Sequence, residues 1–276
     1  MYTLNCKGRL LVIEQPIVMG ILNITPDSFY SGSRTSTNDT ILAKAEQMLR
    51  EGATILDMGG QSTRPGSTRL TAAEEAERVV PAIQLVKKNF PECFVSVDTY
   101  HSDVAREAVE AGADMVNDIS AGEMDAAMLS TIARLQVPYI AMHMQGTPDT
   151  MQQNPVYENV TREVLDYFIK KTEQCQAAGI SDVLIDPGFG FGKTIAHNFQ
   201  LLRELEVFRL LKYPVLAGLS RKSTIYKTLG TTADDALNGT TVLNTIALQN
   251  GASVLRVHDV KEAKEAIQLV RAVYTK

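Results

Sequence analysis

Reading along the chain, short apolar runs recur that end in a residue able to bind, ionise or hydrogen-bond. Those ends carry Asn23, Asp57, Asp98, Asn117 with Asp118, His143, Asp186, the Ser220-Arg221-Lys222 triplet, and Arg256 with His258. Asp98, Asn117, Asp186 and Lys222 together offer carboxylate, amide and ammonium. That mixture suits a flat heterocycle with an amino-pyrimidinone edge, which presents ring N–H and NH2 donors beside a carbonyl and ring nitrogens. Ser220, Arg256 and His258 are types that bind anions, and an arginine can clamp a diphosphate bidentately. Asn23 supplies a hard oxygen suited to a Mg2+ that keeps several waters and bridges diphosphate oxygens. One such residue alone would be a helix cap or a loop contact. Eight strand ends carrying them together describe a site.

The elements that must gather these residues repeat one pattern: amphipathic helix, glycine, short apolar strand. It runs through Ile41–Gly52 then Thr54–Asp57, Val104–Gly112 then Met115–Asn117, Val164–Gly179 then Val183–Asp186, and Thr241–Gly251 then Ser253–Arg256. The glycines fall where a helix end needs positive φ, and Asn38 or Asp39 is the candidate N-cap of the first helix. Ile17–Asn23, Phe94–Asp98, Tyr139–Met142 and Pro214–Gly218 complete eight strands, whose continuous apolar character predicts cover on both faces, as in parallel sheets. Eight strand–helix units without a linker predict a single α/β domain over 1–276, a (β/α)8 TIM barrel with its active site at the C-terminal strand ends. A doubly wound open sheet is the competing architecture, but no Gly-rich dinucleotide turn follows the first strand. Residues 1–14, as Tyr2–Asn5 and Arg9–Ile13, read as a β-hairpin covering the barrel bottom.

The chain's 276 residues suit such a barrel, and 45% hydrophobic with 21% charged residues describe a globular protein with a sizeable core. Lys and Arg number 27 against 32 Asp and Glu, a net charge of −5 without a basic tract, which argues against nucleic acid as partner. No run approaches the ~18 apolar residues of a membrane span, and the N-terminus lacks an apolar export segment. Cys6, Cys93 and Cys175 show no paired spacing and are read as reduced thiols in a cytoplasmic enzyme.

Two Gly-, Ser-, Thr- and Pro-rich loops, Thr25–Asn38 and Gly59–Leu70, follow early strands at the active-site end, where long loops serve as lids or substrate clamps. Several motifs mislead. Gly188-Phe-Gly-Phe-Gly-Lys193 looks like a phosphate loop, but Pro187 stands where the first glycine belongs, and Lys193 takes the third glycine's place in the dinucleotide spacing. His143 and His197 lack a third ligand at zinc spacing. Ser220 lacks a hydrolase elbow. Tyr167, Phe168 and Phe208 read as packing, and His101 as a residue near a helix start.

These motifs, in order, resemble those of the dihydropteroate synthases. Ile21-Leu-Asn23-Ile-Thr-Pro-Asp27-Ser-Phe and Asp57-Met-Gly-Gly-Gln-Ser-Thr63-Arg64-Pro65-Gly match the two opening signatures. Ser96-Val-Asp98, Val116-Asn117-Asp118, Met142-His-Met-Gln-Gly, Asp186-Pro-Gly-Phe-Gly-Phe-Gly-Lys193, Gly218-Leu-Ser220-Arg-Lys222 and Arg256-Val-His258-Asp follow, so the match runs from about residue 17 to 260. The resemblance implies joining of a 6-hydroxymethyl-7,8-dihydropterin diphosphate to p-aminobenzoate in folate biosynthesis, with Mg2+ and as a homodimer. It places Asp98, Asn117, Met142, Asp186, Gly218 and Lys222 around the pterin, and Asn23, Arg256 and His258 at the diphosphate, with Asn23 toward the metal. Thr63, Arg64, Pro65, Phe191 and Ser220, with Lys222, resemble the p-aminobenzoate and sulfonamide surroundings, while Pro26 and Phe29 belong to the first mobile loop. Asp98, Lys222 and Arg256 are the expected catalytic residues. Gln61, where the family often has Glu, and Tyr30-Ser-Gly-Ser depart from the pattern. The alternatives are a corrinoid-dependent methyltransferase of the pterin-binding type and a silent pterin-binding subunit. The first should lack the Ser-Thr-Arg-Pro-Gly loop, and the second could lose the diphosphate residues without harm.

Overall fold

Strands that must be covered on both faces set the architecture. The structure is a computed structural model that describes residues 1–24, 34–61 and 69–274, with the backbone alone for 34–36. After β1 (Tyr2–Cys6) and β2 (Arg9–Ile13), the third strand, β3 (Ile17–Asn23), is buried at every position until Asn23. The chain then alternates: α1 (Arg34–Glu51), β4 (Ile55–Gly59), α2 (Ala72–Asn89), β5 (Phe94–Asp98), α3 (Ser102–Glu110), β6 (Met115–Asp118), α4 (Met128–Leu135) and β7 (Tyr139–Met142). It continues with α5 (Val160–Ala178), β8 (Val183–Asp186), α6 (Ile195–Arg203), a 3-10 turn at Leu205–Leu211, β9 (Leu216–Ala217), α7 (Ser223–Leu229), α8 (Leu237–Gln249), β10 (Val254–Val257) and α9 (Val260–Tyr274).

The eight strands β3 to β10 form one sheet in the order β8-β7-β6-β5-β4-β3-β10-β9, all parallel. A parallel bridge between Ile185 and Val215 links the two ends and closes the barrel. The expected (β/α)8 fold is the observed one. The expected C-terminal glycines also hold: Gly52 (φ +103°) and Gly112 (φ +119°) take the left-handed conformation that lets each chain leave its helix for the next strand.

The antiparallel β1–β2 hairpin plugs the bottom. Leu4, Cys6, Leu11 and Ile13 are buried against Ile17, Met19, Ile55, Met115, Ile140, Leu184, Leu216 and Val254, residues of the barrel strands. Polar ties to segments that lead into the strands fasten it: the Asn5 amide donates to Asp182 Oδ2 at 2.8 Å, and Arg9 Nη2 to Cys93 O and Asp114 Oδ1, both at 3.0 Å. A larger cluster between strands and helices holds the outer core, with Phe168 and Phe208 edge to face at 6.1 Å, as packing residues should be.

Some boundaries differ from expectation. α1 begins at Arg34, so Asn38 and Asp39 lie inside the helix and cap nothing. The Ser-, Thr- and Asn-rich sequence there has weak intrinsic helix preference, and tertiary packing overrides it. β9 spans two residues rather than Pro214–Gly218; Pro214 has no N–H for the ladder, although its carbonyl accepts from Ile185 at 3.0 Å.

Candidate active site

The described strand-end residues meet at the C-terminal mouth. Arg256, at the end of β10, is the hub: its Nε donates to Asp57 Oδ2 on β4 at 2.6 Å, and its Nη2 to Asp98 Oδ2 on β5 at 2.5 Å. Asn117 Nδ2, from β6, donates to the same Asp57 oxygen at 3.2 Å, so four strands join in one network. Asp57 Oδ1 is buried without a hydrogen-bond partner. A buried carboxylate oxygen left open costs free energy unless a ligand or water meets it. Asp57 stood at a strand end in the sequence without an assigned role; the structure makes it Arg256's anchor.

Burial pushes the Asp98 carboxyl up to about 7 against the pull of Arg256, with Asp57 and Asp118 adding to the rise. Burial also raises Asp186, which Lys222 opposes; its Oδ1 accepts from the Gly188 amide at 2.8 Å. Lys222 donates to the Phe189 carbonyl, and burial lowers its ammonium to about 8 despite Asp186. Its Nζ sits 4.8 Å above the Phe191 ring. Gly218 leaves space beside the pair: a Cβ there would lie 3.7 Å from Lys222 Nζ and 3.9 Å from Asp186 Oδ2. Met142 closes this side in a cluster with Tyr100 and Ile119, against which Met124, Met144 and Phe191 pack.

On the other side, Ser220 Oγ lies 3.0 Å from His258 Nδ1 and accepts the His258 amide at 3.2 Å. Ser220 is thus joined to the residues expected at the diphosphate. Asn23 and His258 line a cavity of ≈ 250 Å³ together with Lys44 of α1, a cation with no motif to mark it in the sequence. Thr63, Arg64 and Pro65, like Pro26, Phe29 and Tyr30, lie outside the described residues. Gln61 is described: its Nε2 donates to Tyr100 Oη at 2.7 Å, and its Oε1 accepts the Leu70 amide at 3.3 Å.

Two other strand-end residues, Asp118 and His143, serve the scaffold together with Lys193. Asp118 accepts from the Ser120 and Gly122 amides, the Ser120 hydroxyl and Tyr139 Oη, all within 2.8 Å. His143 is buried beside Lys193, whose Nζ lies 3.0 Å from His143 Nδ1 and donates to the Gly188 and Phe191 carbonyls at 3.0 Å. Lys193 therefore staples its own glycine-rich loop and is turned away from any phosphate role.

For the cation, no group of three or more His, Cys, Asp or Glu among the described residues could hold a metal. Asn23, an exposed residue lining the cavity, has an amide oxygen of the kind that fits a hard divalent ion carried mainly by substrate oxygens and water.

A parallel barrel whose strand ends converge acid, amide, ammonium and guanidinium on one mouth defines a pterin-binding enzyme, and the family model described as pterin binding enzyme matches residues 19–258. Over 271 residues the chain is 45% identical to a dihydropteroate synthase of Haemophilus influenzae, covering 98% of each. Among solved structures it is similar to Xanthomonas albilineans dihydropteroate synthase with 4-aminobenzoic acid, at TM-score 0.92 and 40% identity over 99% of this chain and 98% of that one. The same enzyme in complex with 7,8-dihydropteroate superposes at TM-score 0.90, with 38% identity and both chains fully covered. The chain belongs to the dihydropteroate synthase family, whose members are transferases.

Proposed function

We propose that this chain condenses 6-hydroxymethyl-7,8-dihydropterin diphosphate with p-aminobenzoate, giving 7,8-dihydropteroate and diphosphate, by a dissociative substitution. The observation that carries the reading is Arg256, held by Asp57 and Asp98 with Asn117 beside them, so that a pterin-type hydrogen-bonding set and an anion-binding group share one mouth.

The methylene–oxygen bond breaks first, and its electron pair leaves with the diphosphate. The resulting cation is delocalised into the electron-rich dihydropterin. Asp98 stabilises that cation, while Asp186 and Lys222 fix the ring. Arg256 and His258 stabilise the departing charge. A Mg2+ held by Asn23 and substrate oxygens would screen that same charge. The neutral aryl amine then forms the C–N bond and releases a proton to solvent, so no strong general base is needed. Phe191 and the loop carrying Thr63, Arg64 and Pro65 would hold the aryl ring.

The surroundings follow from the same reading. Cys6, Cys93 and Cys175 are all free and buried, which suits a reducing, cytoplasmic compartment. No helix among the described residues is long and apolar enough to cross a membrane. Family membership supports a homodimer, which sedimentation would test.

The activity test incubates the protein with the pterin diphosphate, p-aminobenzoate and Mg2+, following diphosphate release and dihydropteroate together. Product that depends on all three components is expected. Tight pterin binding without product would overturn the reading in favour of a binding or methyl-transfer role.

A further inference from the structure

β9, with two residues, is the shortest of the described barrel strands, yet the loop that follows it carries both Ser220 and Lys222. Its ladder with β10 pairs Leu216 with Val254 and Ala217 with Leu255, and then stops. Beyond that point side chains continue the same register. Ser220 meets His258 and Arg221 meets Asp259, each pair 38 residues apart, as the paired strand residues are.

The Arg221–Asp259 contact is a bidentate ion pair. Nε donates to Oδ2 and Nη2 to Oδ1, both at 2.8 Å, and both side chains are largely shielded from solvent. The rest of the guanidinium is also engaged: Nη1 donates to the Ala233 carbonyl at 3.0 Å and the Asp234 carbonyl at 2.6 Å. The Arg221 amide donates to Thr240 Oγ1 at 3.0 Å, tying the residue to α8. With four of its five N–H donors spent on protein, Arg221 is poorly placed to clamp an anion bidentately. It also sits at φ +54°, a left-handed conformation that a non-glycine residue keeps only when its surroundings impose it.

We propose that Arg221 and Asp259 are a positioning pair that extends the β9–β10 register past the end of the backbone ladder, and so holds Ser220 and Lys222 opposite His258. The pair sets the spacing between the pterin side and the diphosphate side of the mouth. Lys222 has a second support in the Phe189 carbonyl, whereas the register between Ser220 and His258 depends on the brace. The diphosphate side should therefore suffer most when the brace is lost. This inference rests on the function proposed above.

The test compares the wild-type protein with Asp259→Asn, Arg221→Gln and Asp259→Glu. It measures kcat and KM for both substrates, the melting temperature, and affinity for the dihydropterin alcohol and for its diphosphate. Asp259→Asn and Arg221→Gln should lower kcat/KM for the pterin diphosphate by roughly 10- to 100-fold, as supporting residues around a site do. Affinity for the alcohol should stay within about twofold, and Asp259→Glu should recover most of the loss. Equal loss of affinity for alcohol and diphosphate would overturn the inference by showing general loosening. So would wild-type kinetics in Asp259→Asn. If Asp259→Asn does not fold, the comparison of Asp259→Glu with Arg221→Lys decides, since the first keeps a bidentate partner and the second cannot. A wild-type protein that makes no product would instead defeat the functional reading.

Discussion

Arg256 Nε donates to Asp57 Oδ2 at 2.6 Å although the two residues are 199 positions apart in the chain. The contact ties the last barrel strand to the second. It also leaves Asp57 Oδ1 facing the interior without a partner.

Asp57→Asn keeps the shape of the side chain but removes the charge that anchors Arg256. We expect kcat/KM for the pterin diphosphate to fall by roughly 10- to 100-fold. Stability should drop by about 3 kcal/mol, because a half-buried guanidinium loses the fully buried one of its two counter-ions. Steady-state kinetics with urea unfolding checks both. Full activity in the variant would show that Arg256 needs only Asp98.

In the proposed reaction Lys222 acts as a charged donor to the pterin, and burial lowers its ammonium to about 8. The activity of the free enzyme, read as kcat/KM against pH, should therefore decline as pH rises through about 8. Lys222→Met should abolish that limb along with most activity. A profile flat through this range would remove Lys222 from the charged form of the site.

Glu75, in the first turn of α2, has its carboxyl group buried with His101 Nε2 4.0 Å from Oε2, and burial raises it to about 8. The native chain then holds this proton at pH values where the unfolded chain, titrating near ~4.3, has lost it. Stability from this group is present at low pH and is lost as pH rises through about 8. Glu75→Gln should flatten that slope, with a gain at alkaline pH of at most about 5 kcal/mol. Parallel stability curves for the two proteins would contradict the assignment.

Much of this molecule could be read from its residues. The strand ends could be named because parallel strands announce themselves as apolar runs and stop at polar residues, as β3 does at Asn23. Gly52 and Gly112 were legible because only a glycine readily takes the φ that those helix ends require. Other features left no local trace. The partnership of Asp57 and Arg256 depends on closing the barrel, and Lys44, inside the helix expected over Ile41–Gly52, reaches its cavity only through the packing of α1 beside β3. Glu75 looked like an ordinary first-turn acid. Its burial comes from the tight approach of Gly60, where a Cβ would lie 3.0 Å from the Glu75 carbonyl.

Lys193→Gln tests the glycine-rich loop. The ammonium is buried, and burial lowers it to about 7. Removing it leaves backbone carbonyls unmet, so unfolding free energy should fall by about 3 kcal/mol. Affinity for inorganic diphosphate, measured by calorimetry, should stay at the wild-type value. A large loss of that affinity would restore the phosphate-loop reading.

Gly188→Ala should be more damaging than an alanine at another left-handed glycine. A Cβ at Gly188 would fall 1.9 Å from the His143 carbonyl oxygen, while one at Gly8 would meet nothing within 4 Å. We expect a cost above about 3 kcal/mol at the first, where strain and a backbone clash combine, and about 1 kcal/mol at the second. Equal melting temperatures for the two variants would contradict the packing of these loops.

The hairpin at the barrel floor has a kinetic consequence. With Leu4, Leu11 and Ile13 sealing one end, the interior opens only at the other, like a well with a single rim. Whatever binds nearest the strand ends must arrive before anything stacked above it. A product spanning both levels must leave the way its parts came in. An order of binding would thus follow from a floor packed by the hairpin and the strands' own side chains, at the opposite end from the residues gathered at the mouth.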